Sequence, residues 1–111
     1  MKPKKYGILY VDDEIIYLKT FNSIFRRSYN VFTAQSGLEG LEILAREKIE
    51  LVISDQQMPG MSGVEFLQNV LSKYPNTIRL ILTGQSNIET VIDIFNKLSN
   101  CRISFFFIFY T

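Results

Sequence analysis

Residues 51–63 read Leu51-Val52-Ile53-Ser54-Asp55-Gln56-Gln57-Met58-Pro59-Gly60-Met61-Ser62-Gly63. The apolar, β-branched opening of this stretch predicts a strand from Leu51 to Ser54 that ends at Asp55. Pro, Gly and Ser then mark a loop over Met58 to Gly63, and Ser62 is placed to cap a helix running from Gly63 to about Lys73. Within that helix Val64, Leu67, Val70 and Leu71 recur at helical spacing and are expected to face a core.

The same alternation extends in both directions. Upstream lie a strand from Tyr6 to Val11 and a helix from about Ile15 to Arg27, with Ile15, Leu18, Phe21, Ile24 and Phe25 along one face. A second strand from Tyr29 to Ala34 follows, and Ser36-Gly37 opens a helix through about Glu47, with Leu38, Leu41, Ile43, Leu44 and Ile49 supplying apolar contacts. Downstream, Tyr74-Pro75-Asn76 breaks the chain before a fourth strand from Thr77 to Leu82. The Thr83-Gly84 turn leads to a helix from about Asn87 to Lys97, and the apolar run from Ile103 to Tyr110 reads as a fifth strand. Strands alternating with helices predict an α/β fold with a parallel sheet.

The 111 residues are enough for one core, so residues 1–111 are expected to form a single domain. Hydrophobic residues at 47% against 21% charged argue against disorder. With 12 Lys plus Arg against 11 Asp plus Glu there is no basic field to draw the chain onto nucleic acid. A single cysteine, Cys101, and no histidine exclude an internal disulfide and a Cys/His zinc cluster, which fits a reducing, cytoplasmic setting. The basic start is followed by an apolar run that Asp12, Asp13 and Glu14 cut short, so it does not read as a signal peptide. Ile103 to Tyr110 is too short to span a bilayer, so no membrane association is expected.

In an open parallel sheet, ligands gather beyond the carboxyl ends of the strands. The first strand ends in Asp12-Asp13, the third in Asp55 and the fourth in Thr83, so three carboxylates and a hydroxyl are expected to converge on one edge. Clustered carboxylates repel unless a cation or proton intervenes. Oxygen ligands without histidine or thiolate favour Mg2+, which commonly pairs carboxylates with a phosphate oxygen. Asp55 is then the candidate nucleophile toward phosphorus, with Thr83 able to hydrogen-bond the new phosphoryl oxygens. Taken singly, Asp12 and Asp13 read equally well as caps of the first helix, and Asp55 or Thr83 as turn residues.

The segments Ile8-Leu9-Tyr10-Val11-Asp12-Asp13-Glu14, Leu51 to Gly63 and Ile81-Leu82-Thr83-Gly84 together resemble the receiver domains of two-component response regulators. The likeness spans about residues 5–97 and leaves 98–111 divergent. It implies a flavodoxin-like doubly wound five-stranded sheet in the order 2-1-3-4-5, phosphorylated by a histidine kinase or phosphotransfer protein and read by an output module of unknown kind. By the same resemblance Asp55 is the phosphoacceptor, Asp12 and Asp13 the acidic pair on Mg2+, Gln57 a metal ligand through its backbone carbonyl, and Thr83 the switch hydroxyl. The domain is expected to be a signalling switch and not an enzyme; a small phosphatase with an Asp nucleophile would need a second acid where Gln57 stands.

The C-terminal stretch departs from the family. A lysine followed by proline is expected after the fifth strand, but no lysine follows Lys97 and Phe109 stands near the aligned position. The final helix is also expected to be missing. An uncovered apolar sheet face and the aromatic run Phe105 to Phe109 predict a homodimer or swapped assembly. A degenerate receiver that docks or dimerises without phosphorylation is the competing reading.

Overall fold

In the computed structural model, which describes residues 5–82 and 107–108, the apolar runs pair as parallel strands. β1 (Gly7–Val11), β2 (Asn30–Ala34), β3 (Leu51–Asp55) and β4 (Ile78–Leu82) lie in the order β2-β1-β3-β4. A two-residue strand, β5 (Phe107–Ile108), pairs with Ile81 and Leu82 of β4. Parallel neighbours require long crossovers, and these carry α1 (Ile15–Phe25), α2 (Gly37–Arg46) and α3 (Gly63–Lys73). The arrangement is an α/β flavodoxin-like fold.

Most boundaries differ from the sequence expectation by a residue or two. Tyr6 and Thr77 lie just outside their strands, and α1 stops at Phe25, short of Arg27. The expected helix from Asn87 to Lys97 falls outside the described residues, as does the fifth-strand reading apart from Phe107 and Ile108.

Alternation along β1 divides the core between the two faces of the sheet. Leu9 and Val11 join Val52 and Ile81 beneath Ile43 and Leu44 of α2 and Val64, Phe66, Leu67 and Val70 of α3. Ile8 and Tyr10 turn the other way and pack with Ile53 and Leu18 of α1. Ser62 caps α3 as expected, its hydroxyl accepting from the Glu65 N–H at 3.2 Å. Ser36 does the same for α2 through the Glu39 N–H, also at 3.2 Å.

Two expected core stripes are only partly buried. On α1 Leu18 alone is buried, while Ile15 and Ile24 are 53% and 64% exposed. Among the described residues α1 packs through Leu18 and Phe21 on the face of Ile8, Tyr10 and Ile53, while α2 and α3 pack on the other face. Leu38 of α2 is likewise 67% exposed, because it sits in the first turn on the outer side.

Gly63 fixes the distance between α3 and the end of β3. A Cβ there would run into the Asp55 carbonyl oxygen and come within 2.9 Å of the Gln56 Cα. Since both neighbours are backbone, relief requires moving the strand end itself. Gly63→Ala is therefore expected to destabilise the fold by about 1–3 kcal/mol, measurable as a lower urea midpoint with an unchanged slope.

Candidate functional site

Three strand and loop positions bring the acidic side chains together at the carboxyl edge of the sheet. Asp12 follows β1, its N–H donating to the Ala34 carbonyl at 3.0 Å, so β2 fixes where the first strand ends. Asp13 is the next residue, and Asp55 closes β3. One carboxylate oxygen from each of Asp12, Asp13 and Asp55 lies within 4.8 Å of the others. The expected convergence of these three side chains is present. Thr83, the expected fourth member, lies outside the described residues, and Gln57 follows two positions after Asp55 with its side chain exposed.

Asp12 is 1% exposed, and both of its oxygens carry hydrogen bonds. The Tyr10 hydroxyl donates to Oδ2 at 2.7 Å, and the Glu14 N–H donates to Oδ1 at 3.0 Å. The second bond satisfies a backbone donor just ahead of α1 but does not cap the helix, whose N-cap is Glu14 and carries no side-chain cap hydrogen bond. Burial raises the Asp12 pKa above the ordinary carboxylate range, opposed by these two hydrogen bonds.

Asp55 is pushed up to about 6, first by burial and next by the negative charge of Asp12; the Gln56 and Gln57 backbone N–H groups pull in the other direction. A cluster that resists its own ionisation is one that a divalent cation would stabilise. The donor set is all oxygen, hard and anionic, and so suits Mg2+ or Ca2+ better than zinc or copper.

The loop after Asp55 is tied down by a residue that the sequence pattern did not single out. Gln56 Oε1 accepts from the Val64 N–H at 2.9 Å, and the Gln56 carbonyl accepts from the Gly63 N–H at 3.0 Å. Both bonds satisfy donors at the start of α3. Tyr10 was also missed; its signal was the period-two placement that puts it on the same side of the chain as Asp12. An apolar cleft of about 630 Å3, lined by Tyr6, Ile8, Tyr29, Leu51 and Ile78 among others, lies at the opposite end of the strands, away from the carboxylates.

A profile of the response regulator receiver domain matches residues 8–99. The chain belongs to the response regulator receiver family. The transcriptional regulatory protein GlrR of Escherichia coli is 37% identical to this receiver over 93 residues, 83% of this chain and 21% of that protein. The sporulation initiation phosphotransferase F of Bacillus subtilis is 32% identical over 85 residues, 76% of this chain and 68% of its own length. Among solved structures, the Thermotoga maritima response regulator TrrA in complex with Mg2+-BeF superposes with a TM-score of 0.76 at 26% identity, covering 96% of this receiver and 87% of that chain. The receiver spans about a fifth of the first curated relatives it matches, 19% and 21% of their lengths. Receiver domains are signalling modules of two-component systems. Among the described residues no helix is long and apolar enough to cross a membrane.

Proposed function

We propose that this receiver is a phosphoacceptor switch in which Asp55 takes a phosphoryl group from a phosphohistidine of a sensor kinase or phosphotransfer protein. The observation that carries the reading is the meeting of Asp12, Asp13 and Asp55 at one strand edge. A carboxylate oxygen of Asp55 attacks phosphorus; the phosphorus–nitrogen bond breaks, a phosphorus–oxygen bond forms, and the departing imidazole takes up a proton. The reaction uses the ionised form, so Asp55 must be held as a carboxylate beside two others.

The residues present suit Mg2+: Asp12, Asp13 and Asp55 through carboxylates and Gln57 through its backbone carbonyl would hold it. When bound, the cation offsets negative charge on the carboxylates and on the phosphoryl oxygens. Thr83, outside the described residues, is proposed as the hydroxyl that engages the new phosphoryl group. The change is stoichiometric, one phosphoryl group per cycle, which makes the domain a switch and not an enzyme. The proposed setting is cytoplasmic, with an output module as the responding partner.

A second reading, as a docking or dimerisation module that works without phosphorylation, is favoured by the apolar side chains that α1 leaves exposed, Ile15, Ile16, Tyr17 and Ile24. Both readings include self-association, as a homodimer or with the end strand exchanged. Sedimentation across a concentration series is expected to show a dimer, and a monomer throughout would contradict self-association. The switch itself is tested by transfer of labelled phosphate from a phosphorylated histidine phosphotransfer domain. The label is expected on this chain and should be released by hydroxylamine, as an acyl phosphate is. A chain that stays unlabelled while folded would favour the docking reading.

A further inference from the structure

Asp12 is held on both oxygens, and one of the two donors comes from a side chain whose presence the strand does not require. β1 needs an apolar residue at position 10, on the face shared with Ile8 and Ile53. Tyr10 supplies that bulk and adds a hydroxyl that reaches Asp12 Oδ2 at 2.7 Å. The bond joins a phenol to a buried carboxylate, a charge-assisted pairing of the stronger kind. With the Glu14 N–H on Oδ1 at 3.0 Å, the carboxylate is clamped at both ends and cannot turn about its own axis without breaking a hydrogen bond. Each oxygen keeps a further lone pair for the cluster.

We infer that Tyr10 is a positioning residue of the acidic cluster, fixing the rotation of Asp12 so that its remaining lone pairs meet a divalent cation or that cation's water. The inference rests on reading Asp12, Asp13 and Asp55 as a Mg2+ site. Partners that orient metal ligands matter for affinity because a ligand that must be ordered at the moment of binding binds less tightly. Tyr10 also belongs to a row of rings running back along α1. Its ring centroid lies 4.8 Å from Phe21, Phe21 lies 4.6 Å from Phe25, and Phe25 lies 6.3 Å from Tyr29. A change in the charge that the Tyr10 hydroxyl faces is therefore felt by a chromophore in a fixed apolar setting.

The experiment compares Mg2+ binding by the full chain and its Tyr10→Phe variant by calorimetric titration, with near-ultraviolet difference absorbance recorded on both. Tyr10→Phe is expected to weaken Mg2+ binding about tenfold. In the unsubstituted protein Mg2+ should perturb tyrosine absorbance, and the perturbation should be missing from Tyr10→Phe even at saturation. Phe21→Leu serves as the packing control: it loosens the same ring row, so its urea midpoint should fall while its Mg2+ affinity and difference spectrum stay as they were. Equal affinity in Tyr10→Phe, or a tyrosine perturbation that survives the substitution, would overturn the role of Tyr10 and leave the Mg2+ site standing. Absence of Mg2+ binding in the unsubstituted protein would overturn both.

Discussion

Asp13→Asn is expected to slow phosphoryl uptake at subsaturating Mg2+ by about 100-fold, with much of the loss recovered as Mg2+ is raised. The three carboxylates differ in what they can give. Asp12 is buried and has both oxygens engaged by Tyr10 and Glu14, and in the proposed switch Asp55 is the nucleophile. Asp13 is part-buried beside them, which leaves it the carboxylate with most freedom to meet a cation directly. Neutralising it removes a full charge from the cluster while keeping the shape of the side chain, so the defect should lie in metal affinity and not in folding. The check is the initial rate of labelling by a small-molecule phosphodonor across a Mg2+ series. A rate matching the unsubstituted protein at every Mg2+ concentration would show that Asp13 has no part in holding the metal.

Asp55→Asn is expected to stabilise the metal-free protein near neutral pH by roughly 2 kcal/mol and to have little effect near pH 4. Burial and the Asp12 charge push the Asp55 pKa from the reference 3.8 up to about 6. A pKa raised on folding means that the folded state favours the protonated acid. The stability from this group is thus fully present below about pH 4 and is lost as pH climbs through 6. The full shift would correspond to about 3 kcal/mol, and the value expected is lower because the carboxylate is only half-buried and water screens it. Asparagine cannot ionise and escapes the penalty. Urea unfolding of both proteins at the two pH values measures the difference, and Mg2+ in excess should narrow it by stabilising the ionised cluster of the unsubstituted protein. Equal gains at both pH values would show that Asp55 ionisation is not the source.

These effects depend on side chains whose placement could be read from the chain in unequal measure. Strand positions were legible because β1 and β3 carry short apolar runs followed within two residues by an acid, and a parallel sheet sends the carboxyl end of each strand to the same edge. Asp12, Asp13 and Asp55 followed from that topology alone. Ser62 was legible as a cap because the hydroxyl precedes an apolar helical repeat by one residue.

What the pattern did not reveal depends on three-dimensional contact. Periodicity marked Ile15 and Ile24 as one stripe of α1 with Leu18, but whether a stripe is covered depends on what else packs on that sheet face. Gln56 looked like an ordinary loop residue, and its hold on the start of α3 appears only when the loop is folded back. The Tyr10 hydroxyl is a similar case: it lies within the expected first strand, and its polar end reaches on to Asp12.

The most direct test of the central claim is the intact mass of the protein after incubation with a small-molecule phosphodonor and Mg2+, run beside Asp55→Asn and beside a sample with the metal chelated. A single phosphoryl adduct on the unsubstituted protein, absent from both controls, is the predicted result. An adduct that persists in Asp55→Asn, or a folded protein that takes up none, would contradict it.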